Sequence, residues 1–324
     1  MLRRPRRNRK SAAIRAMVEE TTLSVNDLIF PLFLMEGENQ TSEVGSMPGI
    51  YRFTLDRLLE EVAACVALGI RAFDLFPNLP EVRKDKHATE SHNPAGVYLR
   101  AVEQIKRNFP DVCLMTDVAM DPYSSDGHDG LVENGQILND ETLPVLGRMA
   151  LAQARAGADI LGPSDMMDGR VGYLRQLLDD EGFTHVSIMA YCAKYASAFY
   201  GPFRDALNSA PKFGDKKTYQ MNPANRREAL VEAELDYAEG ADFLMVKPAL
   251  PYLDVIHLLH QHFDIPIAAY NVSGEYAMIK AAAQRGWLDG EKAMLECLLG
   301  IRRAGAKVIL TYFAKEFAQW QRQG

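Results

Sequence analysis

The sequence predicts a (β/α)8 barrel of the α/β class, preceded by an N-terminal extended arm. Three observations carry that expectation. First, four segments repeat one pattern, a helix-like stretch, a glycine, then a short apolar run ending in a polar or special residue: ALGIRAFDLFP (67–77), ARAGADILGPSD (154–165), AEGADFLMVKP (238–248) and RRAGAKVILTYF (302–313). A glycine just past a helix supplies a left-handed cap, and an apolar run this short suits a buried parallel strand. Second, four more such runs at a spacing near 40 residues bring the strand count to eight, each followed by a helical pattern. Third, the chain has no G-x-G-x-x-G or G-x-x-x-x-G-K-[ST] loop, which weighs against a doubly wound open sheet.

Residues 1–25 lack a core pattern and read as an arm; residues 26–324 read as one catalytic barrel. The arm is basic at Arg3, Arg4, Arg6, Arg7, Arg9 and Lys10, a pattern of a solvated or subunit-clasping tail. Strand one is LIFPLFLMEG (28–37), followed by the helix DRLLEEVAACVALG. The second strand leads to AGVYLRAVEQIKRNF, the third, VCLMTDVAM (112–120), to LPVLGRMALAQARAGA, and the fourth to GRVGYLRQLLDDEG. Strand five, HVSIMAYCAK (185–194), precedes NRREALVEAELDYAEGA; strand six precedes YLDVIHLLHQHF; strand seven, PIAAYNVSG (266–274), precedes EKAMLECLLGIRRAGA. All these stretches place apolar residues three and four apart.

A net charge of −7 argues against a general nucleic-acid partner. There is no apolar run of 18 residues, and charges interrupt the stretch after the basic N-terminus, so neither a membrane span nor a signal peptide is expected. A cytoplasmic protein is the resulting expectation. The four cysteines, Cys65, Cys113, Cys192 and Cys297, lie far apart and read as buried reduced thiols.

Barrel active sites lie at the C-terminal ends of the strands. Those ends carry Asp117, Ser164, Asp165, Lys194, Lys247, Ser273 and Tyr312. Alternation puts residues 186, 188, 190, 192 and 194 on one face of strand five, and 241, 243, 245 and 247 on one face of strand six. Two ammonium groups at matching heights on adjacent strands depress a lysine pKa and free an amine to attack a carbonyl carbon. Pro248 removes a donor and biases Lys247 toward extended backbone. Two long connections flank this end, residues 121–140 and 195–223, the second carrying Arg204, Lys212, Lys216, Lys217 and several aromatic residues. Such a connection reads as a lid, and its charge suits an anionic carbonyl substrate.

The segments TDVAMDPYSSDGHDG (116–130), KYASAFYGPFRDA (194–206), MVKPALPYLD (245–254), NVSGEYAM (271–278) and ILTYFAKEFA (309–318) resemble the porphobilinogen synthase (5-aminolevulinate dehydratase) family, along nearly the whole chain. The resemblance implies a barrel with an N-terminal arm, a homo-octamer, and condensation of two 5-aminolevulinate molecules to porphobilinogen. It implies that Lys247 and Lys194 form Schiff bases with the two substrates. By the same resemblance Arg204 and Lys216, with Gln220 nearby, clamp one carboxylate, and Ser273 and Tyr312 donate hydrogen bonds to the other. Asp117 and Ser164 are both candidates for the proton-transferring group. Zinc-dependent members carry three cysteines where this chain has Ala119, Asp121 and Asp129, so the resemblance is to the zinc-independent, magnesium-responsive type, with Glu232 matching a Mg²⁺ carboxylate at a subunit contact. Asp121 and Asp129 are left open between a second ion and substrate hydrogen bonding. The alternative is a Schiff-base (class I) aldolase acting on a sugar phosphate. The loops after strands seven and eight, VSGEYAM and YFAKEFA, offer one glycine and hydroxyl side chains, which suits a carboxylate better than a phosphate.

Overall fold

The computed structural model describes residues 1–323. Eight parallel strands form the barrel: β1 Leu28–Met35, β2 Ala72–Asn78, β3 Cys113–Val118, β4 Ile160–Pro163, β5 Ser187–Lys194, β6 Phe243–Lys247, β7 Ile267–Asn271 and β8 Val308–Thr311. Each pairs with the next, and Leu28↔Ile309 and Ile29↔Leu310 close β8 onto β1. The strands are apolar on both faces because one faces the barrel interior and the other the helices.

The helices are α1 Ala12–Met17, α2 Leu55–Ala67, α3 Val97–Asn108, α4 Asn139–Ala156, α5 Arg170–Asp180, α6 Gly201–Leu207, α7 Glu228–Ala238, α8 Leu253–His262, α9 Ser273–Gln284, α10 Gly290–Ala304 and α11 Ala314–Gln321. The repeated glycine does what its pattern predicts. Gly157 ends α4 at φ +106°, and Gly305 follows α10 at φ +123°, where an added Cβ would sit 2.4 Å from the His260 ring. Only glycine holds that backbone and that closeness without strain.

Three expectations need correction. The segments after β7 and β8 are not loops: α9 begins at Ser273 and α11 at Ala314, because Glu275 reaches back to the Val272 N–H at 2.6 Å and starts α9 immediately. The arm is not extended throughout, since Pro5–Arg9 forms a 3₁₀ turn and α1 follows behind a Ser11 cap. The long connection after β3, expected as a lid loop, is not all loop; Leu131–Glu133 and Gln136–Leu138 pair as an antiparallel hairpin. No described helix is long and apolar enough to cross a membrane.

Candidate active site

Lys247 ends β6 and Lys194 ends β5, and the two are register partners. A bulge aligns them. Phe243 pairs with Met189 and Leu244 with Ala190, but Val246 pairs with Ala193 and Lys247 with Lys194, so β5 holds one extra residue. This corrects the simple alternation. Cys192 does not share the face of Lys194; its thiol donates to the Met245 carbonyl at 3.4 Å and lies beside Asp236 and Arg170 of the helix layer. Tyr191 turns inward instead, under both ammonium groups.

The two lysines, each only 5% exposed, have unlike surroundings. Rings surround the Lys247 nitrogen, with centroids at 4.5 Å (Tyr270), 5.0 Å (Phe203), 5.1 Å (Tyr191) and 5.5 Å (Tyr200). Burial, then the neighbouring Lys194 charge, lower its pKa to about 7, against the pull of Asp117, Asp74 and Asp121. A large share of Lys247 is therefore a neutral amine at neutral pH, and the ring faces suit a cation formed there later. Lys194 donates to the Ser164 carbonyl and lies 3.6 Å from Asp129. One lysine has a carboxylate partner and the other an aromatic cage.

Asp129 also lies 2.8 Å from Lys216, which reaches Asp121 at 3.1 Å. Burial pushes the Asp129 carboxyl up, but Lys194 and Lys216 overcome it and hold it well below the usual range. Lys216 is raised in turn, because Asp121 and Asp129 outweigh its burial. The connection after β3 thus matches two carboxylates to two ammonium groups. Asp117 differs: burial and Asp121 push it up to about 6, with Lys194, Ser164 and Lys247 pulling back. Its Oδ1 is buried without a hydrogen-bond partner. A carboxyl poised near neutrality beside both lysines suits proton transfer.

The 195–223 segment roofs these groups. The Met221 N–H donates to the Lys194 carbonyl at 3.0 Å, the Lys212 N–H to the Asp126 carbonyl at 3.0 Å, and His128 bridges the Tyr219 hydroxyl and the Phe213 carbonyl, each at 3.0 Å. Gly274 lets it come close, since an added Cβ would sit 2.5 Å from the Phe199 carbonyl oxygen. Of its four predicted cations, Lys216 is buried and Arg204 half-buried, while Lys212 pairs with Glu81 and Lys217 with Asp215 on the outside. Gln220 is buried with its Oε1 unpartnered. The Ser273 hydroxyl accepts from the Phe203 N–H at 3.0 Å, and the Tyr312 hydroxyl meets that of Tyr270 at 2.9 Å. Glu232 lies apart, on α7, beside a surface cavity of about 260 Å³ that Asn139, Asp168, Asn222 and Glu228 also line.

Sequence reasoning missed the inward aromatic residues Tyr191 and Tyr270, which read as ordinary strand residues, and Asp74 in the middle of β2. Strand alternation was the signal for Asp74. It lies two residues before Phe76, whose ring packs edge-on against Phe203 at 5.1 Å inside the barrel mouth.

A family model described as delta-aminolevulinic acid dehydratase matches residues 2–320. The chain is 59% identical over 319 residues to the chloroplastic delta-aminolevulinic acid dehydratase of Physcomitrium patens, covering 98% of this chain and 74% of the relative. It is 57% identical over 320 residues to the rice (Oryza sativa subsp. japonica) chloroplastic protein of that name, covering 98% and 75%. A crystal structure of Toxoplasma gondii delta-aminolevulinic acid dehydratase (porphobilinogen synthase) in complex with the reaction product porphobilinogen superposes at a TM-score of 0.97 with 52% identity, covering 99% of this chain and 92% of that one. The relatives are named as chloroplastic, which overturns the cytoplasmic expectation. A charge-based reading of the first residues carries no information on the compartment beyond secretion.

Proposed function

The chain belongs to the delta-aminolevulinic acid dehydratase family, and from that premise we propose how its residues condense two molecules of 5-aminolevulinate into porphobilinogen. Membership favours this reaction over the sugar-phosphate aldolase. The observation that carries the mechanism is the in-register pair of buried lysines, one of them with its pKa lowered to about 7.

In this reading the Lys247 amine attacks the ketone of one substrate and Lys194 that of the other. Each carbinolamine loses water to give an iminium, which draws electrons from the adjacent carbon and makes its proton removable. Anchoring both substrates makes their meeting intramolecular. Asp117, between the two nitrogens in charge influence, is the group for proton transfer. Arg204, Lys216 and Gln220 bind one carboxylate, Lys216 being held in place by Asp121 and Asp129; Ser273 and Tyr312 bind the other.

We further propose a magnesium-responsive, zinc-independent homo-octamer. Glu232 suits the ion: burial raises its carboxyl, with Asp236, Asp168 and Glu228 adding to the rise against Arg170, so a hydrated cation would relieve an acidic cluster. Mg²⁺ needs one or two carboxylates and keeps several waters, and Glu232, Glu228 and Asp168 all line the same surface cavity. When bound, the ion would brace the cavity wall at 217–222, next to Gln220. On the same helix Val231, Leu235 and Tyr237 are 55%, 54% and 48% exposed, apolar surface that supports a subunit contact there. The test is turnover of 5-aminolevulinate after zinc chelation. Mg²⁺ is expected to stimulate the wild type and to lose that effect in Glu232→Gln with the Mg²⁺-free rate unchanged; restoration by zinc and not by Mg²⁺ would contradict the metal reading.

A further inference from the structure

Asp74 is a carboxyl group in the interior of the barrel. It is fully buried, and among the described residues neither oxygen meets a hydrogen-bond partner in good geometry, although the Leu75 N–H acts on the carboxylate, a costly arrangement for a group with only a structural role. Its direction follows from the strands. Phe76 faces the barrel mouth, so Asp74, two residues earlier, faces the interior about 7 Å further down the strand. Its neighbour across the ladder is Met115, two residues before Asp117, and Met115 reaches toward Gly162 and Tyr191 in the same layer. Tyr191 is also the floor beneath Lys194 and Lys247. Asp74 therefore lies one layer under the lysine pair.

We propose that Asp74 is the electrostatic partner of Lys247, a carboxylic acid while the amine is free and a carboxylate counter-ion once the amine has become an iminium. The inference rests on the Schiff-base role of Lys247 and deepens it. The balance is simple. The amine adds to the ketone to give a carbinolamine; the carbinolamine hydroxyl then leaves as water with one added proton, the nitrogen lone pair forms the C=N bond, and the nitrogen becomes positive. One proton is consumed, and Asp74 loses one. The cavity keeps its net charge through the step, which matters where water cannot screen.

The groups that face Asp74 fit this role. Asp117 on β3 and Lys247 on β6 act on its charge; Tyr98 on α3, Tyr191 on β5, Tyr270 on β7 and Tyr312 just past β8 feel it. Burial, then Asp117, push its carboxyl well above the usual range, and Lys247 pulls it back. Lys247 itself faces Lys194, Asp117 and Asp121 besides Asp74. A positive charge fixed on Lys247 is thus the change that would release the Asp74 proton.

The test uses Asp74→Asn and Asp74→Leu in the full-length enzyme, with 5-aminolevulinate as probe. Melting temperature reports folding, and removal of an unpaired acid is expected to leave it equal or raise it. Imine formation is read by borohydride trapping on Lys247 and by the pH profile of turnover. Both variants are expected to lose about tenfold or more in turnover, and the alkaline limb of the profile moves to lower pH by about one unit, as an iminium without its counter-ion gives up its proton more readily. Folded variants with wild-type turnover and an unmoved alkaline limb overturn the proposal, as does a rate loss with no change in the profile. Wild-type enzyme that traps nothing on Lys247 overturns the Schiff-base reading itself, and this inference with it.

Discussion

Lys247→Met folds and loses about 10⁵-fold in turnover of 5-aminolevulinate, the scale at stake when a covalent anchor and its orientation are removed together. The fold survives because methionine fills the volume of the lysine stem among Tyr191, Tyr200, Phe203 and Tyr270, and an apolar group in that cage has no desolvation cost. Melting temperature and turnover together check this: a variant that melts near the wild type and is still active to within tenfold would remove Lys247 from the chemistry.

Lys194→Met is expected to lose about 10³-fold, since one anchor remains, and to leave a second trace in the pH dependence. Lys247 is held near 7 first by burial and then by the Lys194 charge. Taking that charge away raises the Lys247 pKa, so less of it is neutral at pH 7, and borohydride trapping on Lys247 shifts to higher pH. Burial still acts, so the pKa stays below that of an exposed lysine. A trapping profile that does not move would mean that the two nitrogens do not sense one another.

These two lysines were legible in sequence because each ends an apolar run at the same end of the barrel, and the glycine-capped repeat fixed where those ends fall. The bulge in β5 was not legible. Alternation along one strand says nothing of which residue its neighbour pairs with, and Cys192 was misplaced for that reason. Asp74 escaped because a single acid inside ALGIRAFDLFP leaves the run apolar enough to read as a buried strand. The helix that starts at Ser273 escaped because a hydroxyl and a glycine residue at a helix start look like loop, and the one that starts at Ala314 because its eight residues are too few to show a period. Strand ends and the basic lid singled out Ser273, Tyr312, Arg204 and Lys216, but their assignment to one carboxylate or the other came from family resemblance, as did Gln220 and Glu232, since Glu232 on α7 looks like any acid on a half-exposed helix face.

The central claim is a pair of covalent anchors, and peptide mapping after borohydride reduction with 5-aminolevulinate tests it most directly. Reduced adducts on both Lys247 and Lys194, each absent from the matching methionine variant, are the predicted result. Adducts on neither lysine, in enzyme that still makes porphobilinogen, would contradict it.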